Sequence, residues 1–152
     1  MIIKGNDLIL FYRGTNISGE TINTPLSRST SCSLEMTNEE LEVTSKTSGD
    51  FKEFLKGKME WSVSVDGLVD FDDVDGYEVL NSAMFSGEPI DVAIGVATKD
   101  STTTKPTGLD TSIKYYTGKV KVMSLSLNTG GAGETASYSA TLKGDGLLSY
   151  NS

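Results

Sequence analysis

Met59-Glu60-Trp61-Ser62-Val63-Ser64-Val65-Asp66-Gly67 places Met59, Trp61, Val63 and Val65 on one side of the chain and Glu60, Ser62, Ser64 and Asp66 on the other. A period of two is the mark of an extended strand with one face in a core and the other in water, and the Asp-Gly pair favours a turn that ends it. The alternation recurs on both sides. Cys32, Leu34 and Met36 alternate with Ser31, Ser33 and Glu35, and Ala136, Tyr138, Ala140 and Leu142 alternate with Ser137, Ser139, Thr141 and Lys143. Between Lys119 and Asn128 the apolar set is Val120 and Val122, then Leu125 and Leu127, so the parity changes near Met123-Ser124 and predicts a one-residue bulge. The Gly-rich stretch from Asn128 to Glu134 separates two alternating runs and predicts a hairpin turn. With Leu8 to Tyr12, Ile90 to Thr98 and weaker runs, the count comes to about eight strands.

One segment follows another period. From Val74 to Phe85, the residues Tyr77, Leu80, Ala83 and Met84 recur every three or four positions, the stripe of a short amphipathic helix. Asp72, Asp73 and Asp75 precede it as candidate caps, and Ser86-Gly87 followed by Pro89 ends it. The expected fold is mainly β, a β-sandwich or barrel of about eight strands with one short flanking α-helix, forming a single domain over 1–152. Two long loops are expected, Ser45 to Gly57 and Lys99 to Ser112. The first holds Phe51, Phe54 and Leu55 among Thr, Ser, Gly, Lys and acids, and such residues either fold back onto their own core or face a neighbour.

The chain has 152 residues, no histidine and one cysteine, so neither a Ser-His-Asp nor a Cys-His pair can be assembled and no internal disulfide can form. An enzyme is not expected, nor a metal or cofactor. No apolar run approaches the roughly 20 residues of a spanning helix, and no secretory signal is evident, so synthesis in a cytoplasm is expected.

Each remaining motif has an ordinary reading. Asp70 to Gly76 resembles a calcium loop in composition, but with Gly76 at the sixth position Phe71 would fill the first ligand place and Ser82 the twelfth. Helix capping fits those acids better. The Gly130-Gly131-Ala132-Gly133 run lacks the Lys-Ser/Thr of a phosphate loop and joins strands. Carboxylate pairs arise by chance among 21 acids and carry little weight. Cys32 and Trp61 lie on core parities and read as packing groups. Tyr115-Tyr116 is the one candidate aromatic platform for a carbohydrate-binding module, the alternative from another functional class.

Charge is unevenly spread. The net charge is 13 − 21 = −8, with nine acids and no Lys or Arg from Glu60 to Thr98. From Thr111 to Gly133, Lys114, Lys119 and Lys121 stand without any acid. This is either an uneven solvated surface or a pair of unlike surfaces suited to self-association. A nucleic-acid binder would need the opposite balance.

The stretch Thr44-Ser45-Lys46-Thr47-Ser48-Gly49-Asp50-Phe51-Lys52-Glu53-Phe54-Leu55-Lys56-Gly57, running into the Trp61 strand and Asp66-Gly67, resembles the major tail tube proteins of long-tailed bacteriophages. The shared pattern is a Thr/Lys/Ser/Gly loop, an aromatic, Leu-x-Gly and a Trp-containing strand that ends near an acidic-Gly turn. The resemblance implies a structural subunit of a virion tail that assembles with itself into stacked, hexameric rings and with other tail proteins, forming a conduit that DNA crosses without specific binding. Tubes of contractile injection machines and of type VI secretion share the fold, so such a tube is an alternative. The resemblance also implies that the long loop reaches a neighbouring subunit, with Phe51, Phe54 and Leu55 as contact residues, and that no membrane is entered.

Overall fold

The computed structural model describes residues 2–3, 5–15, 21–26, 29–47, 49–72, 76–103 and 105–151. After a 3-10 turn at Gly5–Asp7, the elements are β1 (Leu8–Thr15), β2 (Thr21–Pro25), β3 (Ser29–Glu42), β4 (Phe54–Leu68), α1 (Tyr77–Ser86), β5 (Ile90–Lys99), β6 (Pro106–Leu109), β7 (Tyr115–Asn128) and β8 (Ser137–Asn151). The mainly β class with one flanking helix is the one expected. The strands pair antiparallel in the order β2-β1-β5-β7-β8-β4-β3, and β6 pairs with β5.

This sheet rolls around one main core. Leu10, Trp61, Val63, Val65, Val92, Ile94, Val120, Val122, Tyr138, Ala140 and Leu142 turn inward from five strands. Each belongs to a period-two set, so burial follows from the alternation once the strands are paired. Helix α1 closes the core with Tyr77, Leu80 and Ala83, and the Tyr77 ring lies 5.6 Å from that of Tyr138. A second, smaller cluster of Phe11, Ala93 and Ala97, with Ile9 and Leu109 against it, fills the opposite face of β1 and β5. Those strands are buried on both sides there, which is why Val92-Ala93-Ile94-Gly95-Val96-Ala97 is almost continuously apolar.

Trp61 anchors the centre. Its indole N–H donates to the Gly146 carbonyl at 3.0 Å, and its ring lies over two glycines. A Cβ at Gly144 would fall 2.1 Å from Trp61 Cε2, and one at Gly118 would fall 2.6 Å from Cζ2. The slot exists because β8 bulges: Gly118 faces Leu148 whereas Val120 faces Gly144, and Gly146 takes a left-handed φ of 92° to make the detour.

The parity switch in β7 is a bulge as expected. Val122 faces Leu142 and Ser124 faces Thr141, which leaves Met123 as the extra residue. The β7–β8 turn also matches: Asn128 Oδ1 accepts the Gly130 N–H at 2.9 Å, and Glu134 Oε2 accepts the Gly131 N–H at 3.0 Å. The chain's own acid thus occupies the amide a phosphate would need.

Other expectations are corrected. The helix starts at Tyr77, not Val74, with Gly76 at the N-cap and no side-chain cap bond. Asp73, Val74 and Asp75 lie outside the described residues. Asp72 caps nothing at α1; its N–H donates instead to Asp70 Oδ1 at 3.1 Å. Met84 is 41% exposed and leaves the buried stripe. The stop does match: Gly87 is left-handed at φ 71° and its N–H bonds the Ala83 carbonyl. The segment Lys99 to Ser112 is not all loop, because β6 pairs back on β5. Its hairpin is tied by Thr98 and Thr107, whose hydroxyls lie 3.1 Å apart, and by Asp100, whose carboxylate accepts the Thr102 N–H at 2.7 Å.

Candidate functional site

The segment from Ser45 to Gly57 is not a simple loop. Strand β8 pairs with β4 only from Ser62 onward, whereas β3 follows β4 back to Glu42 and Phe54. Thr37 to Glu42 with Phe54 to Glu60 therefore form a two-stranded arm that leaves the body. Six residues of β3 at about 3.3 Å each extend it by about 20 Å. Pairing continues at its tip, where the Val43 N–H donates to the Glu53 carbonyl at 2.9 Å and the Glu53 N–H donates to Thr44 Oγ1 at 3.0 Å.

A bulge sets which way the arm's side chains point. Asn38 faces Met59 and Glu40 faces Lys56, so Gly57 and Lys58 together oppose Glu39. A Cβ at residue 57 would lie 2.8 Å from Glu39 Cβ, so the Gly of Leu55-Lys56-Gly57 lets the strands close at this point. Beyond it the parity of β4 is inverted. Leu55 pairs with Leu41 on the side that continues Glu60, and Phe54 pairs with Glu42 on the side that continues the core.

The three residues singled out as contacts are all exposed: Phe51 at 80%, Phe54 at 63% and Leu55 at 59%. They do not fold back onto their own core. Phe51 sits in the tip, while Phe54 and Leu55 belong to β4 and face opposite ways. Leu41, Val43 and Met59 add exposed apolar surface that loop reasoning missed. The missed signal was Leu41-x-Val43 opposite Leu55, visible only once the two segments are paired.

The wet face of β3, β4, β8 and β7 is the second feature. Its rows run Ser33, Ser64, Thr141, Ser124 and Ser31, Asp66, Ser139, Ser126. Seven of these eight side chains are short hydroxyls. Asp66 ties its row together, accepting from Ser31 Oγ at 3.1 Å and Ser139 Oγ at 2.6 Å. The next row, Glu35, Ser62, Lys143 and Lys121, carries mixed charge. Among the described residues, the two edges of this four-stranded patch are unpaired: β3 on one side, and on the other Lys121 to Asn128 of β7, since β5 reaches only Val120.

Folding partly evens out the uneven charge. Arg13, Asp91 and Lys119 form one cross-strand row, and Lys121 stands 3.8 Å from Asp145. Among the described residues, the acids near α1, Glu78 and Glu88, make no ion pair. No group of three or more His, Cys, Asp or Glu side chains able to hold a metal is present among the described residues. Tyr116 is half-buried against the core and its ring centre lies 4.8 Å from that of Tyr150, tilted by 32°. Cys32 is half-buried against the core, and burial pushes its thiol pKa up. Its alkylation by iodoacetamide at pH 8 is expected to run at least about tenfold slower than that of a free thiol, with unfolding in urea removing the difference.

The family described as phage tail tube protein matches residues 2–150. The chain belongs to that family. It is a structural tail tube subunit. No curated protein matches it in sequence. Chains from solved tail and injection-system assemblies share its fold. A chain from the tail of an empty gene transfer agent particle, refined with C6 symmetry, superposes with a TM-score of 0.73 at 20% identity, covering 99% of this chain and 100% of that one. The SPP1 tail tube gives 0.72 at 14% identity, covering 99% and 79%. A chain of the sheath-tube complex of an extracellular contractile injection system gives 0.64 at 13%, covering 99% and 92%. Among the described residues no helix of this tail tube subunit is long and apolar enough to cross a membrane.

Proposed function

We propose that this chain, as one domain over 1–152, closes with copies of itself into rings by joining the β3 edge of one copy to the unpaired β7 edge of the next, beside α1. The observation that carries this is the hydroxyl-rich face bounded by two unpaired edges. An unpaired edge is a template for another strand, and unlike edges on opposite sides of one patch join head to tail into a closed ring. Such a ring presents Ser31, Ser33, Ser64, Ser124, Ser126, Ser139 and Thr141 to its bore. Six copies are supported by the six-fold symmetry of the gene transfer agent tail.

Rings stack into a conduit for DNA. Short hydroxyls leave the bore open and carry no aromatic surface on which bases could stack. Six copies hold 6 × −8 = −48 charges, whereas on the bore face Asp66 and Glu35 are balanced by Lys121 and Lys143, so the lining offers phosphates no net attraction and the polymer slides without binding. The protein is made in the host cytoplasm and taken into the virion tail with other tail proteins. Phe51, Phe54 and Leu55 contact a neighbouring subunit, as their exposure on a projecting arm favours.

Negative-stain microscopy of the purified chain, alone and with its partner tail proteins, tests the reading. Rings or tubes with a central hole are expected; monodisperse monomers in both preparations would sink it. A tube inside a contractile sheath is the second reading, supported by the likeness to the contractile injection system chain. A glycan array tests the carbohydrate-binding alternative and is expected to show no saccharide preference.

A further inference from the structure

We infer that the groove beside α1 seats Leu34 and Met36 on the β3 edge of the next copy in the same ring, so that the helix covers the seam between two subunits. The seat exists only if copies join edge to edge as proposed above, on which this inference rests. The groove, of about 620 Å³, is lined by Phe71, Val79, Ser82, Ala83 and Ile90 among others. Helix α1 packs over β7, and the two ends of the groove bracket the unpaired stretch of that strand. Ile90 pairs with Val120, where β5 leaves β7. Phe71 lies three residues past Leu68, whose partner Ser137 also pairs with Asn128.

A strand that joins Lys121 to Asn128 therefore arrives alongside the groove, about 4.8 Å from β7. Strands β3, β4, β8 and β7 alternate in direction, so β3 and β7 run oppositely and the joint between copies is antiparallel like the others in the sheet. Ser29 to Met36, the part of β3 within the body, and Lys121 to Asn128 each span eight residues, about 26 Å of edge. Parity then decides which side chains turn toward α1. Cys32, Leu34 and Met36 pair with Val65, Val63 and Trp61, all buried, so they stand on the core side while Ser31, Ser33 and Glu35 stand on the wet face.

Both sides of the seam are apolar and incomplete in a single copy. Leu125 and Leu127 pair with the buried Ala140 and Tyr138, so beyond the bulge they are the core side of β7, yet Leu127 is 50% exposed. Met36 is 43% exposed and Phe71 67%. Apolar surface this open beside an unpaired edge marks a contact. Once the edges join, Leu125 and Leu127 of one copy continue into Leu34 and Met36 of the next, beneath Val79 and Ala83. Thr30, Cys32, Leu34 and Met36 carry no charge, so Glu78 and Glu88 in the groove meet no like charge from them.

Cross-linking tests the seat. The chains Cys32→Ser/Met36→Cys and Cys32→Ser/Ser82→Cys each hold a single thiol, and a short bis-maleimide is expected to join them into covalent dimers when they assemble together with their tail partners, but not when either assembles alone. Ser82 is exposed in the single copy, so Ser82→Trp, which fills the groove, is expected to leave thermal unfolding unchanged while ring yield falls at least about tenfold. No covalent dimers from mixed preparations whose micrographs show rings would overturn the seat and leave the ring standing. Rings of wild-type yield from Ser82→Trp would overturn it too, as would single rings that no longer stack, which would turn the groove toward the next ring. A wild-type chain that forms no rings with its tail partners would instead remove the ring, and the seat with it.

Discussion

Phe54→Asp is expected to abolish tubes while leaving the monomer as stable as the wild type. Phe54 is 63% exposed at the end of the arm, so the isolated chain loses little by the change, the new carboxylate adding only a solvent-screened repulsion from Glu42 across the strand pair. A substitution at such a site usually shifts stability by no more than about 0.5 kcal/mol. In an assembled contact the same change removes a large apolar group, worth about 2 kcal/mol when buried, and places an unpaired carboxylate where water is excluded. Together these exceed about 3 kcal/mol per contact, a factor of more than about 100 in its equilibrium constant. Micrographs and sedimentation read the assembly, and thermal unfolding reads the monomer. Intact tubes from the variant would remove Phe54 from the interface. Leu55→Asp probes the opposite face of the arm, so comparing the two tells which side meets the neighbour.

The arm also shows where sequence reasoning stops. The Trp61 strand was legible because Val63 and Val65 are buried while Ser64 and Asp66 are wet, so the pattern carries the contrast between core and solvent. Past Met36 that contrast is gone. Thr37-Asn38-Glu39-Glu40-Leu41-Glu42 has solvent on both faces in the single chain, and nothing in its composition marks it as strand. The bulge at Gly57 then inverts the parity of β4, so Phe54 and Leu55 do not continue the alternation that begins at Met59. A strand with no buried face writes no period.

The same reasoning covers β6 and the helix. Pro106-Thr107-Gly108-Leu109 is held by backbone pairing and by the Thr98 and Thr107 hydroxyls, and only its last residue packs on a core. The helix stripe was visible in Tyr77, Leu80 and Ala83, but its start depends on Gly76, whose backbone takes the cap position without any side chain. The hydroxyls of the candidate bore were visible as the polar members of the alternating strands. Their grouping was not, because it depends on β8 lying between β4 and β7, a fact of topology that no local pattern encodes.

Gly144→Val is expected to be the most damaging single substitution in the body of the subunit. Any Cβ at this position falls 2.1 Å from Trp61 Cε2 and 2.3 Å from Cδ2, both atoms of a rigid ring held by its bond to the Gly146 carbonyl. The ring cannot tilt without losing that bond and the packing that leaves it 4% exposed. Overpacking a core of this kind costs about 1–3 kcal/mol, and displacing a buried Trp costs about as much again. A loss of about 4 kcal/mol lowers the melting temperature by about 8–16 °C in a domain of this size. Trp61 is the only tryptophan, so its fluorescence reports the displacement directly and is expected to shift to the red. Gly14→Ala is the control, because a Cβ there meets nothing within 4 Å and φ is not left-handed. An unchanged melting temperature and emission maximum for Gly144→Val would mean that the glycine slot does not hold the indole, and that β8 has room to move away from β4 where the arm leaves the body.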